Sequence, residues 1–187
     1  MSVKHSLVII DDHPMFREGV KAIVRGGAGY EICAEAGTCA EGLLAVRTHR
    51  PALALVDFSL PDGSGIDLAR DIMAASPRTR VVILSMHSKV EFISTAFQAG
   101  AMAYLAKESS RDQLLQALEA AVSGRQYLDS SLSPKLVAEL LSFLEDVEAA
   151  GAGLAAPAPL DPGAQLAGVT AQARAMRYRT PAFAAER

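Results

Sequence analysis

Apolar residues in this chain come in short, nearly unbroken runs, and each run ends on a chemically loaded polar residue. Leu7-Val8-Ile9-Ile10 runs into Asp11-Asp12, and Leu53-Ala54-Leu55-Val56 into Asp57. Val81-Val82-Ile83-Leu84 runs into Ser85, and Ala103-Tyr104-Leu105-Ala106 into Lys107. Such runs read as strands buried on both faces, which is the habit of parallel sheets. In an open α/β sheet the carboxyl ends of the strands share one edge, and ligands bind there. The pattern therefore predicts three carboxylates, a hydroxyl and an ammonium converging on one small site.

Helical segments alternate with these runs, the signature of a doubly wound parallel sheet. The first helix is predicted from about Pro14 to Arg25, because Pro suits a first turn and Gly26-Gly27 stop it. A further strand covers about Glu31 to Ala36. Thr38 and Glu41 form a capping-box pair for a helix to about Thr48, and Pro51 breaks it. The third helix runs from about Gly65 to Ala75, ended by Ser76-Pro77. The fourth runs from about Lys89 to Ala99, with Gly100 as its stop. Ser110 and Gln113 cap a fifth helix to about Ser123. The expected fold class is thus α/β, with a five-stranded parallel sheet and five helices.

Downstream, Ser133-Pro134 starts a predicted extra C-terminal helix whose stripe is Leu136, Val137, Leu140, Leu141 and Leu144. That stripe either packs back on the preceding domain or serves as a linker or dimerisation helix, over residues 128–149. Residues 150–187 are rich in Ala, Gly and Pro and read as a flexible, disordered tail.

Composition narrows the function. The net charge is −3, and the Arg residues of the tail leave the main body more acidic than the whole. An acidic body argues against non-specific nucleic-acid binding by the main domain. No signal peptide and no apolar run of membrane-spanning length is read, so no membrane role is expected and the expected location is cytoplasmic. Cys33 and Cys39 read as two reduced thiols. There is no Walker-type loop and no dinucleotide fingerprint.

Three carboxylates that close repel one another. A pair of unit charges at 4 Å interacts by about 1 kcal/mol in water and about 4 kcal/mol at an effective dielectric near 20. Lys107 offsets only part of this, and a divalent cation is the natural remainder. All-oxygen ligands favour Mg²⁺, with Mn²⁺ able to substitute, over Zn²⁺. A carboxylate can also act as a nucleophile and form an aspartyl phosphate, and Asp57 is the best placed candidate.

The set Asp11, Asp12, Asp57, Ser85, Lys107 resembles the receiver domain of bacterial two-component response regulators. So does the loop from Asp57 to Gly65, with Pro61 and Gly65 four and eight residues past the Asp, and so does Tyr104. The resemblance covers about residues 5 to 127, and residues 1–127 are taken as the receiver domain. The stretches Asp11-Asp12-His13-Pro14-Met15-Phe16-Arg17 and Leu105-Ala106-Lys107-Glu108 resemble the LuxR-type (NarL/FixJ) subfamily, whose members usually carry a DNA-binding helix-turn-helix.

That resemblance implies a flavodoxin-like strand order of 2-1-3-4-5. It implies that Asp57 accepts a phosphoryl group from a sensor histidine kinase, and that Asp12, Asp57 and the backbone carbonyl of Ser59 bind Mg²⁺ directly. Asp11 would hold the metal through water. Lys107 would pair with phosphoryl oxygens, Ser85 would hydrogen-bond them, and Tyr104 would change rotamer with Ser85. His87, two residues past Ser85, is a candidate modulator of hydrolysis, while His5, His13 and His49 read as surface residues. Chemistry would be limited to self-catalysed phosphorylation and dephosphorylation. An aspartyl phosphatase of the haloacid-dehalogenase type is disfavoured, because Ser59 stands where a second Asp is usual. Glu108 replaces the Pro that follows the Lys in many receivers.

Output is the open part of this reading. The residues after 150 do not read as a helix-turn-helix, so the expected switch acts through a protein contact, with a second copy as one candidate partner. The alternative is a DNA-binding transcriptional regulator whose helix-turn-helix is truncated or missing here, with DNA as a partner only where that domain is restored.

Overall fold

The computed structural model describes residues 4–26 and 29–129. The extra helix predicted from Ser133-Pro134 and the tail over 150–187 lie outside the described residues.

Strand β1 (His5–Ile10) leads into helix α1 (Pro14–Arg25), then β2 (Tyr30–Ala36), α2 (Cys39–His49) and β3 (Leu53–Asp57). A small antiparallel hairpin pairs Ser59–Leu60 with Gly63–Ser64. Then follow α3 (Gly65–Ala75), β4 (Arg80–Ser85), α4 (Val90–Gln98), β5 (Ala103–Ala106), α5 (Arg111–Val122) and β6 (Tyr127–Leu128). The main sheet is parallel throughout, in the order β2-β1-β3-β4-β5-β6.

The alternation within each run assigns its residues to opposite faces. Leu7, Ile9, Leu53 and Leu55 pack with Val20 and Val24 of α1 and Leu114 and Leu118 of α5. Val8, Ile10, Ala54 and Val56 pack with Val46 of α2, Ile72 of α3 and Ile93 of α4. Both faces of the central strands β3, β4 and β5 are therefore dry, while the edge strand β2 is partly exposed along its length. This is why the runs show no polar alternation.

The caps explain where the helices start. Thr38 Oγ1 accepts from Glu41 N at 3.1 Å, and Ser64 Oγ accepts from Ile66 N at 3.2 Å. Ser110 and Gln113 form a complete capping box on α5. The Glu41 carboxylate departs from the expected box by accepting from Gly37 N, at 2.9 Å, rather than from Thr38.

The main sheet has a sixth strand beyond the five expected, and the small hairpin is a second addition. Tyr127 and Leu128 pair with Ala103 and Tyr104. A two-residue strand carries no periodicity to read, and it lies across the boundary expected at 127. Asp129 follows it, fully buried, accepting from Gln113 Nε2 at 2.6 Å and from the Ser109 hydroxyl.

Candidate functional site

Strand register places the polar residues. Ile10 pairs with Val56, so the chain leaves β1 at Asp11 beside the end of β3 at Asp57. Asp57 pairs with Leu84, and Ser85 pairs with Ala106, so Lys107 leaves β5 on the same edge. The backbone continues the alignment past the strand ends: Asp11 N donates to Ala36 O at 3.0 Å and Lys107 N to Ser85 O at 2.9 Å.

Lys107 bridges two buried carboxylates. Its Nζ lies 2.6 Å from Asp57 Oδ2 and 2.8 Å from Asp11 Oδ2. Burial alone would lower the lysine pKa, but the hydrogen bonds and charges of Asp11 and Asp57 outweigh it and raise it above the ordinary 10.5. Burial raises the Asp57 pKa above the usual 3.8; the Lys107 hydrogen bond opposes that, and the Asp11 charge adds to it. Asp12 is exposed at the rim.

The donor set fits a hard divalent cation. Asp11, Asp12, His13 and Asp57 each bring a ligand atom to within 4.8 Å of the others. Asp11 Oδ2 is buried, and Lys107 Nζ, at 2.8 Å, is the charge that faces it. Three carboxylates against one ammonium leave two negative charges over, which a divalent cation would neutralise.

Ser85 and Tyr104 form a second knot, tied together by the backbone of His87. His87 N donates to Ser85 Oγ at 2.9 Å, and Tyr104 OH donates to His87 O at 2.9 Å. Both side chains are fully buried, so Tyr104 is already in an inward position. The His87 ring packs with Phe58 and Phe92, at centroid distances of 5.2 and 5.4 Å. Phe58 adjoins Asp57, so this aromatic group sits beside the carboxylate edge.

Gly65 holds the loop after Asp57 against the sheet. Gly65 N donates to Phe58 O at 2.8 Å, and a Cβ at position 65 would lie 2.0 Å from the Asp57 carbonyl oxygen. Only a residue without a side chain permits this approach. Ser59 N donates to Asp57 Oδ1 at 3.3 Å, which orients the carboxylate.

Two residues at the site, His13 and Arg17, and one cap outside it, Asp62, carry contacts to which the sequence assigned no role. His13, read as a surface residue, turns its ring onto the carboxylates, with Nδ1 2.8 Å from Asp12 Oδ1 and 3.1 Å from Asp11 Oδ1. Arg17 Nη1 donates to the Asp11 carbonyl oxygen at 2.6 Å and fixes the loop after β1. Asp62 caps α2 from a distance, accepting from Cys39 N at 2.7 Å and Ala40 N at 3.0 Å. His13 and Arg17 were legible as part of the motif after β1. The role of Asp62 depends on a contact across 23 residues and leaves no local signal.

The family model for the response regulator receiver domain matches residues 7–119. The chain belongs to the response regulator receiver family. It is 30% identical over 145 residues to the transcriptional regulatory protein DegU of Brevibacillus brevis, covering 78% of this chain and 61% of that protein. It is 33% identical over 137 residues to the DNA-binding transcriptional activator DevR/DosR of Mycobacterium tuberculosis, covering 73% of this chain and 63% of that protein. The chain thus spans about three fifths of the length of these curated relatives. Among solved structures, a LuxR-family two-component response regulator from Aurantimonas superposes with a TM-score of 0.71 at 31% identity, covering 74% of this chain and 99% of that one. The receiver fold and the LuxR-type likeness expected from the sequence are both borne out. Among the described residues, no helix is long and apolar enough to cross a membrane.

Proposed function

We propose that this receiver is a phosphorylation-controlled switch in which Asp57 is the phosphoacceptor, phosphorylated by a sensor histidine kinase. The supporting observation is the Asp57 carboxylate itself, buried at the end of β3 and held 2.6 Å from Lys107. An Asp57 oxygen attacks the phosphorus of a phosphohistidine, a P–O bond forms and the P–N bond breaks. The imidazole leaves with the bonding pair and takes up a proton.

Charge on the transferred oxygens must be offset at this step, since phosphoryl transfer is mainly positioning and neutralisation. Lys107 turns from the Asp57 carboxylate to a phosphoryl oxygen. Ser85 donates its hydroxyl to another, exchanging its contact with His87 N, and Tyr104 follows through the shared His87 backbone. Asp12, Asp57 and the Ser59 carbonyl would hold Mg²⁺ or Mn²⁺, with Asp11 acting through water. Bound there, the cation would supply positive charge to the phosphoryl oxygens. Water attacks the phosphorus of the aspartyl phosphate, the bond to the Asp57 oxygen breaks and inorganic phosphate leaves. The receiver's own residues catalyse the step, and the His87 ring modulates it from its place beside Phe58.

The surface that responds is that of α4, β5 and α5, and it is read by a protein contact, with self-association as one form. The two free thiols, Cys33 and Cys39, support a cytoplasmic location. Residues 1–127 act as the receiver, which β6 and the buried Asp129 carry to residue 129. A second reading is favoured by the relatives, which are transcriptional regulators: the chain is the receiver part of a DNA-binding regulator. In a gel-shift with promoter DNA, retardation by this chain would favour DNA binding over a protein contact as its output.

Sedimentation and hydrogen exchange test the switch. Beryllofluoride with Mg²⁺ should change the association state or the exchange of residues 85–107 in the wild type, and neither in Asp57→Ala. No change in the wild type would refute the switch.

A further inference from the structure

The His13 ring stands among the carboxylates that the proposed function assigns to the cation. Its Nδ1 is 2.8 Å from Asp12 Oδ1, 3.1 Å from Asp11 Oδ1 and 3.8 Å from Asp57 Oδ2. It is also 3.5 Å from Lys107 Nζ. One ring nitrogen therefore touches or approaches every charged group of the site. Mg²⁺ binds carboxylate oxygen at about 2.0–2.1 Å, so a cation shared by these oxygens needs the space that Nδ1 fills. Mg²⁺ takes oxygen and water ligands in preference to imidazole, so the ring is not kept as a ligand.

We infer that the His13 imidazole and the divalent cation compete for the same carboxylates, so that the ring must swing out before the cation binds. This rests on the proposed use of Asp11, Asp12 and Asp57 as the cation site. The competition is one of space and of contacts, and holds for either charge state of the ring.

Two features make the ring a movable occupant rather than a structural prop. The His13 side chain is 64% exposed, so it can leave without opening the core. It occupies the N-cap position of α1 yet makes no capping bond with its side chain. The bond that fixes the turn is His13 N to Asp11 Oδ1 at 2.8 Å, which any residue but Pro keeps. Replacing the ring thus removes the competitor and spares the loop.

The apparent dissociation constant of a ligand scales inversely with the fraction of molecules open to it. If the ring fills the site in most molecules, its removal should tighten Mg²⁺ binding about three- to tenfold. The test is calorimetric titration of Mg²⁺ into wild type, His13→Ala and His13→Asn, with ring resonances of His13 followed in the wild type. Tighter binding by both variants, and His13 signals that move as Mg²⁺ saturates, support competition. Unchanged binding, or weaker binding with the ring then acting as a ligand, overturns it while leaving the cation site standing. Absence of Mg²⁺ binding in all three proteins overturns both this inference and the proposed cation site.

Discussion

Gly65 and Asp57 are locked together through the backbone: a Cβ at position 65 would fall 2.0 Å from the Asp57 carbonyl oxygen. The obstacle is main chain, which cannot swing aside as a side chain can. Gly65→Ala should therefore destabilise the protein by about 1–3 kcal/mol or more, the range of overpacking at a rigid site. It should also slow phosphorylation, because the shift falls on the Asp57 loop. Urea unfolding and the rate of modification by acetyl phosphate, measured on the same sample, check both. A fully stable and fully reactive variant would show that the loop has slack.

Lys107 is the sole ammonium in contact with Asp57 and Asp11 among the described residues. Lys107→Ala leaves two buried carboxylates without their counter-charge. Loss of one member of a buried pair costs about 3–5 kcal/mol. Saturating Mg²⁺ should restore part of this loss, because the cation takes over the neutralisation. Denaturation with and without Mg²⁺ gives the comparison, and a loss that Mg²⁺ does not touch would separate Lys107 from the cation site.

Asp12 should behave in the opposite way. It is an exposed carboxylate beside two buried ones, so Asp12→Ala relieves repulsion in the metal-free protein. The expected midpoint of thermal unfolding without metal is unchanged or higher. Added Mg²⁺ should raise the midpoint of wild type and not of the variant, since a ligand stabilises only what it binds. A clearly lower metal-free midpoint would make Asp12 a structural residue.

Much of this was readable before the fold was known. Four apolar runs located β1, β3, β4 and β5, because strands buried on both faces need no polar alternation. Pro14, Thr38, Ser110 and Gly100 marked helix ends because the chemistry of a cap is local. The convergence of Asp11, Asp57 and Lys107 followed from parallel topology alone. What escaped was set by distance or by brevity. Asp62 caps a helix whose first residue lies 23 positions before it. The two residues of β6 have no pattern, and the burial of Asp129 follows from their pairing. His13 looked like a surface residue and is one by exposure, yet its nitrogen reaches inward.

Alkaline titration offers a check on the far side of the sheet. Tyr30 is buried, with its hydroxyl 3.3 Å from Glu119 Oε2. Burial, then the Glu119 charge, pushes its pKa from 10.0 up to about 12. A raised pKa here favours the neutral phenol in the folded state. The stabilisation is complete below pH 10 and is lost as pH rises through about 12. Tyr30→Phe should therefore lose less stability than wild type across that window. Tyrosinate absorbance should also lose a late-titrating component. Equal pH dependence in the two proteins would mean that Tyr30 ionises as it does in the unfolded chain.

The most direct test of the phosphoacceptor is intact mass after incubation with acetyl phosphate. Asp57 is the buried last residue of β3, 2.6 Å from Lys107, so one phosphoryl group should appear on the wild type when Mg²⁺ is present. Chelation of the metal should prevent it, and Asp57→Ala should remain unmodified with Mg²⁺. A phosphoryl group on Asp57→Ala to the same extent as on wild type would contradict the assignment.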